Sequence, residues 1–219
     1  MRIVVVTVFA CIVLVAWSGK SVFASGGARD LTAVNGSVTA EPGQTYDTVR
    51  TVNGAVRVSR GASAAEAKTV NGSLVLEEDT KVGTASTVNG SLRIGAGAAV
   101  AEEASTVNGS IALAKRARVG GDVSTVSGRI RLDGAEVTGK VITRDGDIEL
   151  NDGARVHGGI HVREKGNNWS WNGSKLVVQV EICSTCVVDG ELRFDRAVEL
   201  HVESGGRIGR VIGDEVTRR

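Results

Sequence analysis

Aliphatic positions in this chain recur at short intervals that restart on a fixed period. The segment Thr-Val-Asn-Gly followed by alternating aliphatics begins at Thr51, Thr69, Thr87 and Thr106, with weaker copies at Ala33, Thr125 and Thr143. Consecutive starts are separated by 18, 18, 18, 19, 19 and 18 residues. That period is too short for helical-hairpin repeats or propeller blades and fits one coil of a stacked-strand solenoid. Within a copy, Val70, Gly72, Leu74 and Leu76 share one parity, while Thr69, Asn71, Ser73 and Val75 share the other. The same parity recurs at Val88, Gly90, Leu92 and Ile94 and at Val107, Gly109, Ile111 and Leu113. A period of two in β-branched residues predicts strand, and identical residues one coil apart predict parallel, in-register stacking. The parity that carries Val70, Leu74 and Leu76 is expected inside, with Thr69 and Asn71 outside.

A second ladder with the same spacing runs through Val119-x-Gly121-x-Val123, Val137-x-Gly139-x-Val141 and Val156-x-Gly158-x-Ile160-x-Val162. The repeat breaks from Arg163 to Lys175, then resumes with Val188-x-Gly190-x-Leu192-x-Phe194 and with Val198, Leu200 and Val202. The predicted fold is all-β, a single-stranded parallel β-helix (β-solenoid) with coils of about 18 residues. The predicted organisation is repeats over 25–162, an inserted loop over 163–175, and terminal solenoid coils with a cap over 176–219. Phe194 and the charged terminus are expected to help close the open strand edge.

The first residues change the picture by adding a compartment. Arg2 precedes a predominantly apolar run from Ile3 to Trp17, and Val22-Phe23-Ala24 offers a small-residue boundary, so 1–24 reads as a secretory signal peptide with cleavage before Ser25. The run falls short of the roughly 20 apolar residues that span a bilayer, and no stable transmembrane span is expected in the mature chain. The whole chain carries 26 basic and 25 acidic residues, and cleavage removes Arg2 and Lys20, leaving the mature protein close to neutral. A balance of this kind offers no polybasic field for nucleic acid. Aromatic residues make up 3% of the chain and glycines number 29, which suits a narrow aliphatic core with tight bends better than a broad globular one.

Candidate chemistry is sparse. Asn35, Asn53, Asn71, Asn89 and Asn108, each followed by glycine, are expected to stack as an asparagine ladder, continued by Ser127 and Asp145. Such a ladder is either a ligand-binding face or a corner in which Asn-Gly supplies positive φ and the amides bond to one another; turn chemistry favours the second. Arg129 and Arg131 lie one coil from Asp147 and Glu149 at equal offsets, so opposite charges are expected to stack, whereas Arg144 stands where earlier coils have valine. Cys183 and Cys186 admit three readings: a small-loop disulfide, half of a metal site, or a redox pair. Export favours the disulfide, because a zinc site needs four ligands with only His157, His161 and His201 at hand, and no helical pattern follows to activate a thiol. His157 and His161 are expected on the outward side of their strand. Asp145, Asp147, Glu149 and Asp152 are the densest acidic group, and no catalytic set, metal or cofactor is assigned.

Trp169 and Trp171 sit in the interruption with Asn167, Asn168 and Asn172, a combination suited to stacking on a sugar ring while bonding its hydroxyls. The other reading of the pair is packing, with the indoles covering an open flank of the solenoid.

The recurrent Thr-Val-Asn-Gly-Ser-Leu strands resemble a bacterial envelope family of unknown function described as adhesins. The Val-x-Gly-x-Val strands and Val187–Phe194 are similar to bactofilins, polymer-forming solenoid proteins. The resemblance implies a non-enzymatic structural or binding protein of the cell envelope, periplasmic or at the cell surface, with an envelope glycan or a protein as partner. The bactofilin side implies a scaffold that self-associates end to end. A carbohydrate-active enzyme on a β-helix is the remaining alternative.

Overall fold

A three-residue strand set between two turns can bury its outer two side chains and leave the middle one in water. Each coil contributes one strand of this kind or a slight extension of it: Val38–Ala40, Val56–Val58, Leu74–Leu76, Leu92–Ile94, Ile111–Leu113, Ile130–Asp133, Ile148–Asn151, Val178–Ile182, Val198–Val202 and Val216–Arg218. These ten strands form one parallel sheet in chain order, with Leu74 over Val56, Leu92 over Leu74, and Ile111 over Leu92. The computed structural model describes residues 29–164, 177–213 and 216–218, and those residues form strands and turns without a helix. The predicted parallel β-solenoid, with coils of about 18 residues, is the observed architecture.

The coil has three strand columns. A first face is built from Leu31–Asn35, the C-terminal ends of Thr45–Asn53, Ser63–Asn71 and Lys81–Asn89, then Ala104–Asn108, Val123–Ser127, Val141–Thr143, Ile160–Val162, Leu192–Phe194 and Val211–Ile212. The ten-stranded sheet is the second face. A third face starts in the N-terminal ends of the same three long strands and continues through Ala99–Val100, Arg118–Val119, Glu136–Val137, Arg155–Val156, Val187–Val188 and Arg207–Ile208. The sheet forks at Lys81–Asn89, whose start pairs with Ala99–Val100 and whose end pairs with Ala104–Asn108. The fork has a local cause. Buried Val82 and Ala85 stand three residues apart, whereas their counterparts Val100 and Ala104 stand four apart. The added residue opens a bend between the third and first faces and lengthens the repeat from 18 to 19. The second predicted ladder is therefore two short strands on either side of a glycine bend, although its Val119, Val123, Val137 and Val141 are buried as expected.

The core is an aliphatic stack. Leu74, Leu76, Leu92, Ile94, Ile111, Leu113, Ile130, Leu132, Ile148 and Leu150 are fully buried, each contributing about 1.5–3 kcal/mol of apolar burial. The predicted parity holds on the second face and is reversed on the first. Ala33, Thr51, Thr69, Thr87, Thr106, Thr125 and Thr143 point inward, while the valines that follow the first six are half-buried or exposed, Val34 and Val107 at 56% and 39%. The reason is the corner: Asn-Gly turns the chain, so the parity of Leu74 does not carry back to Val70. A buried hydroxyl also requires a partner, and the corner supplies one. Thr69 Oγ1 donates to the carbonyl of Gly54 at 2.9 Å, Thr87 to that of Gly72 at 3.1 Å, and Thr106 to that of Gly90 at 3.1 Å. Arg144 follows Thr143 at this same valine position and is half-buried there.

The glycines of this corner are demanded mainly by proximity. A Cβ on Gly90 would lie 2.0 Å from the carbonyl oxygen of Gly72, and one on Gly109 would lie 1.9 Å from that of Gly90. Positive φ, the expected reason, applies at Gly36, Gly72 and Gly128. It governs a different turn, between the second and third faces, where Gly43, Gly61, Asp79, Gly97 and Arg116 take the left-handed conformation in successive coils. Phe194 is buried inside the stack, and Val211–Ile212 pairs beyond it with Leu192 and Arg193, so Phe194 is core and not the outer cap.

Candidate functional site

The asparagine ladder is present at the outer edge of the Asn-Gly corner. Asn53 Nδ2 donates to Asn35 Oδ1 at 3.0 Å, and Asn71, Asn89 and Asn108 each donate to the asparagine one coil below at 2.9 Å. Register continues from Asn108 to Ser127. Each inner rung thus spends an amide hydrogen and its carbonyl oxygen on its neighbours, which is what a structural corner requires.

The asparagines end at Asn108, and after the rungs of Ser127 and Asp145 the chain leaves the repeat, between Ile160–Val162 on the first face and Val178–Ile182 on the second. The interruption falls at this same corner, in the coil after Arg144-Asp145-Gly146. Trp169, Trp171, Asn168 and Asn172, the residues proposed from sequence for recognition, lie outside the described residues, as does segment 1–24, read from sequence as a signal peptide.

Ionic contacts replace the neutral ladder in the flanking coils. Arg196, whose side chain is 12% exposed, donates through Nη1 to the Arg144 carbonyl at 2.7 Å and meets Asp145 Oδ1 at 2.6 Å. The backbone order is Thr143, then Arg163, then Asp195, since Arg163 N donates to Thr143 O and Asp195 N to Val162 O. Arg196 therefore reaches across the coil from which the chain departs and ties the coil above to the coil below.

Two histidines stitch the same junction. His157 Nδ1 lies 2.8 Å from Asp189 Oδ2 and its Nε2 lies 3.1 Å from Glu136 Oε1, so one imidazole links three coils. His161 Nε2 lies 2.7 Å from Asp195 Oδ2, and Arg193 Nε donates to Asp195 Oδ1 at 2.9 Å. Glu136 first, and Asp189 second, hold the His157 imidazolium above its ordinary value. His161 and then Arg193 hold the Asp195 carboxyl below its ordinary range. Both histidines face outward as expected. Sequence reading missed their partners, because Asp189 and Asp195 lie 32 and 34 residues away across the interruption, outside the repeat period that brings other pairs together.

The predicted charge stack is also in place one coil earlier. Arg129 lies 3.8 Å from Asp147 and 3.0 Å from Glu149, with Arg131 in register with Glu149. Further along this outward face, Gln179, Glu181, Glu199 and His201 line a cavity of about 360 Å³. Among the described residues, no group of three or more His, Cys, Asp or Glu is placed to hold a metal ion. No helix long and apolar enough to cross a membrane occurs among them.

Cys183 and Cys186 are joined, with Sγ atoms 2.12 Å apart. They occupy the turn between second and third faces, where Cys186 N donates to Cys183 O at 3.0 Å, as Ala98 N does to Gly95 O and Ala154 N to Asn151 O in other coils. Cys186 is fully buried in the position held there by Ala62, Ala98, Ala117 and Ala154. Of the three sequence readings, the disulfide is the one the geometry carries. Comparison with protein-family models, curated proteins and solved structures found no match.

Proposed function

We propose that this chain is a non-enzymatic, exported binding protein of the bacterial cell envelope, adhesin-like, in which the solenoid acts as a rigid post. Recognition belongs to the segment between Val162 and Val178, with Trp169 and Trp171 stacking on an envelope glycan or protein partner and Asn168 and Asn172 bonding to it. The observation that carries this reading is the set of cross-coil bridges around the departing segment: Arg196–Asp145, His157–Asp189 and His161–Asp195 fix the coils that anchor it. A frame reinforced around one segment favours precise presentation of that segment. Replacing Trp169 and Trp171 together by alanine is expected to abolish binding on a glycan array or to envelope extracts while leaving Tm within about 2 °C, the behaviour of surface substitutions. A fall of several degrees with binding intact would assign the indoles to packing.

A second reading, the self-assembling scaffold, is favoured by one feature. Leu31–Asn35 and Val38–Ala40 each pair with a strand on one side, leaving the other edge without a partner among the described residues. Such edges template strand addition. Filaments that form with rising concentration, seen by electron microscopy, would select this reading.

A further inference from the structure

The two histidine–aspartate pairs cross a single coil junction, and it is the one the departing segment spans. Backbone bonds at that junction include Asp189 N to Val156 O at 2.9 Å, Ile160 N to Glu191 O at 3.0 Å, and Asp195 N to Val162 O at 2.9 Å. On the second face, Val178–Ile182 is stacked on Ile148–Asn151, and the register partners Leu150 and Ile182 stand 32 positions apart (182 − 150), against 18 (150 − 132) for Leu132 and Leu150. The chain between register partners is therefore longer here, and side-chain bridges join the same two coils.

We propose that this junction is a pH-dependent latch, closed when His157 is protonated between Glu136 and Asp189 and loosened when it is neutral, with the His161–Asp195 contact bracing the same junction. Histidine is the side chain that changes charge between about pH 5 and 8. The surroundings favour the cation at His157, where Glu136 and Asp189 approach from the coils below and above and Arg155, two residues earlier, is in register with Glu136. At His161, Asp195 approaches from the coil above; Arg193, directly across from His161, shares Asp195, and Ile142 stands on the other side. The sign follows from the shifts. The folded His157 value is raised above 6.5, so its contribution is complete below that value and is lost as pH rises through the raised one. The folded Asp195 value is lowered below 3.8, so its contribution is complete above that value and is lost as pH falls through the lowered one. The latch is closed in mildly acidic solution and opens toward alkaline pH. It governs how firmly the frame of the segment is held, and it stands whether or not the segment recognises a ligand.

Native-state hydrogen exchange tests it without a ligand. After correction for intrinsic rates, protection at the Asp189 amide is expected to fall about 3- to 10-fold between about pH 6 and pH 8.5, as the exposed His157 ion pairs weaken. The Gly90 amide, which donates to Asn108 O at a junction held by the neutral ladder, is expected to keep its protection. In the His157→Gln/His161→Gln protein the pH dependence at the latch should vanish, with protection fixed at the alkaline level of the parent. The Asp189→Asn/Asp195→Asn protein provides a second route to the same flattening. A flat profile in the parent, or an unchanged profile in a variant that keeps Gly90 protected, overturns the latch.

Discussion

At a corner where one coil passes against the next, the deciding quantity is the space left for a single Cβ. Gly90 has none: the Gly72 carbonyl oxygen would stand 2.0 Å from the added atom, and that oxygen is backbone, held in turn by the Thr87 hydroxyl. Gly61 presents the opposite case, with φ at +67° and nothing within 4 Å of an added Cβ. Substitution there meets only the left-handed penalty, about 1–2 kcal/mol for an L-residue. Gly90→Ala must instead push adjacent coils apart and break the Thr–Gly hydrogen bond, so its cost should exceed about 3 kcal/mol, in the range reserved for core disruption. Urea unfolding of the two variants measures this. Similar losses from both would mean that conformational freedom, and not proximity, selects glycine at the Asn-Gly corner.

At the scale of the turn, the disulfide replaces a device used elsewhere. Neighbouring coils pass from second to third face through a left-handed residue such as Gly97 or Arg116, while Thr185 does not take that conformation. The Asn151–Ala154 turn closes the same backbone hydrogen bond without sulfur, Ala154 N to Asn151 O at 3.1 Å, through left-handed Asp152 and Gly153. Placing its end residues here as Cys183→Asn/Cys186→Ala should preserve the fold at a cost of no more than about 2 kcal/mol, the entropy of a loop of this size. Loss of cooperative unfolding in the double variant would show that the bond does more than close a turn. Elements of this kind mark the limit of what a sequence discloses. The period exposed the coils, the second-face strands, the asparagine ladder and the Arg131–Glu149 register, because stacking forces equal residues to equal offsets. It could not disclose the inward threonines, since a corner resets parity, nor the His157–Asp189 and His161–Asp195 pairs, since an interruption of unknown length hides which offsets coincide. The tryptophans were visible as a departure from the repeat, and their role rests on chemistry alone.

Across the whole molecule, backbone pairing joins each coil only to its neighbours, with Arg196–Asp145 reaching one coil further, so stability should behave to a first approximation as a sum over coils and junctions. The coil Thr87–Ser105 is the natural unit for testing this. It spans 19 residues, as does the following repeat from Thr106, and it contains the Asn-Gly corner, buried Leu92 and Ile94, the neutral turn Gly95–Ala98, and buried Val100 and Ala104. Inserting a second copy after Ser105 would place Asn89 on Asn89, Leu92 on Leu92 and Gly90 on Gly90, contacts nearly the same as those already made with Asn71, Leu74 and Gly72. The new like-charge neighbours, Arg93 over Arg93 and Glu102 and Glu103 over their copies, point outward where water and salt screen them, at a few tenths of a kcal/mol each. The enlarged protein should therefore fold, lengthen by about 4.8 Å along the stack, and melt at or above the temperature of the parent. Deleting Arg93 from the inserted copy is the matched control, because a one-residue slip turns either Leu92 or Ile94 of that copy out of the core. Its melting temperature should fall below that of the full insertion by several degrees. If the full insertion melts as low as the slipped one, coils are not interchangeable units, and the stack must be held by a long-range feature that the repeat does not express.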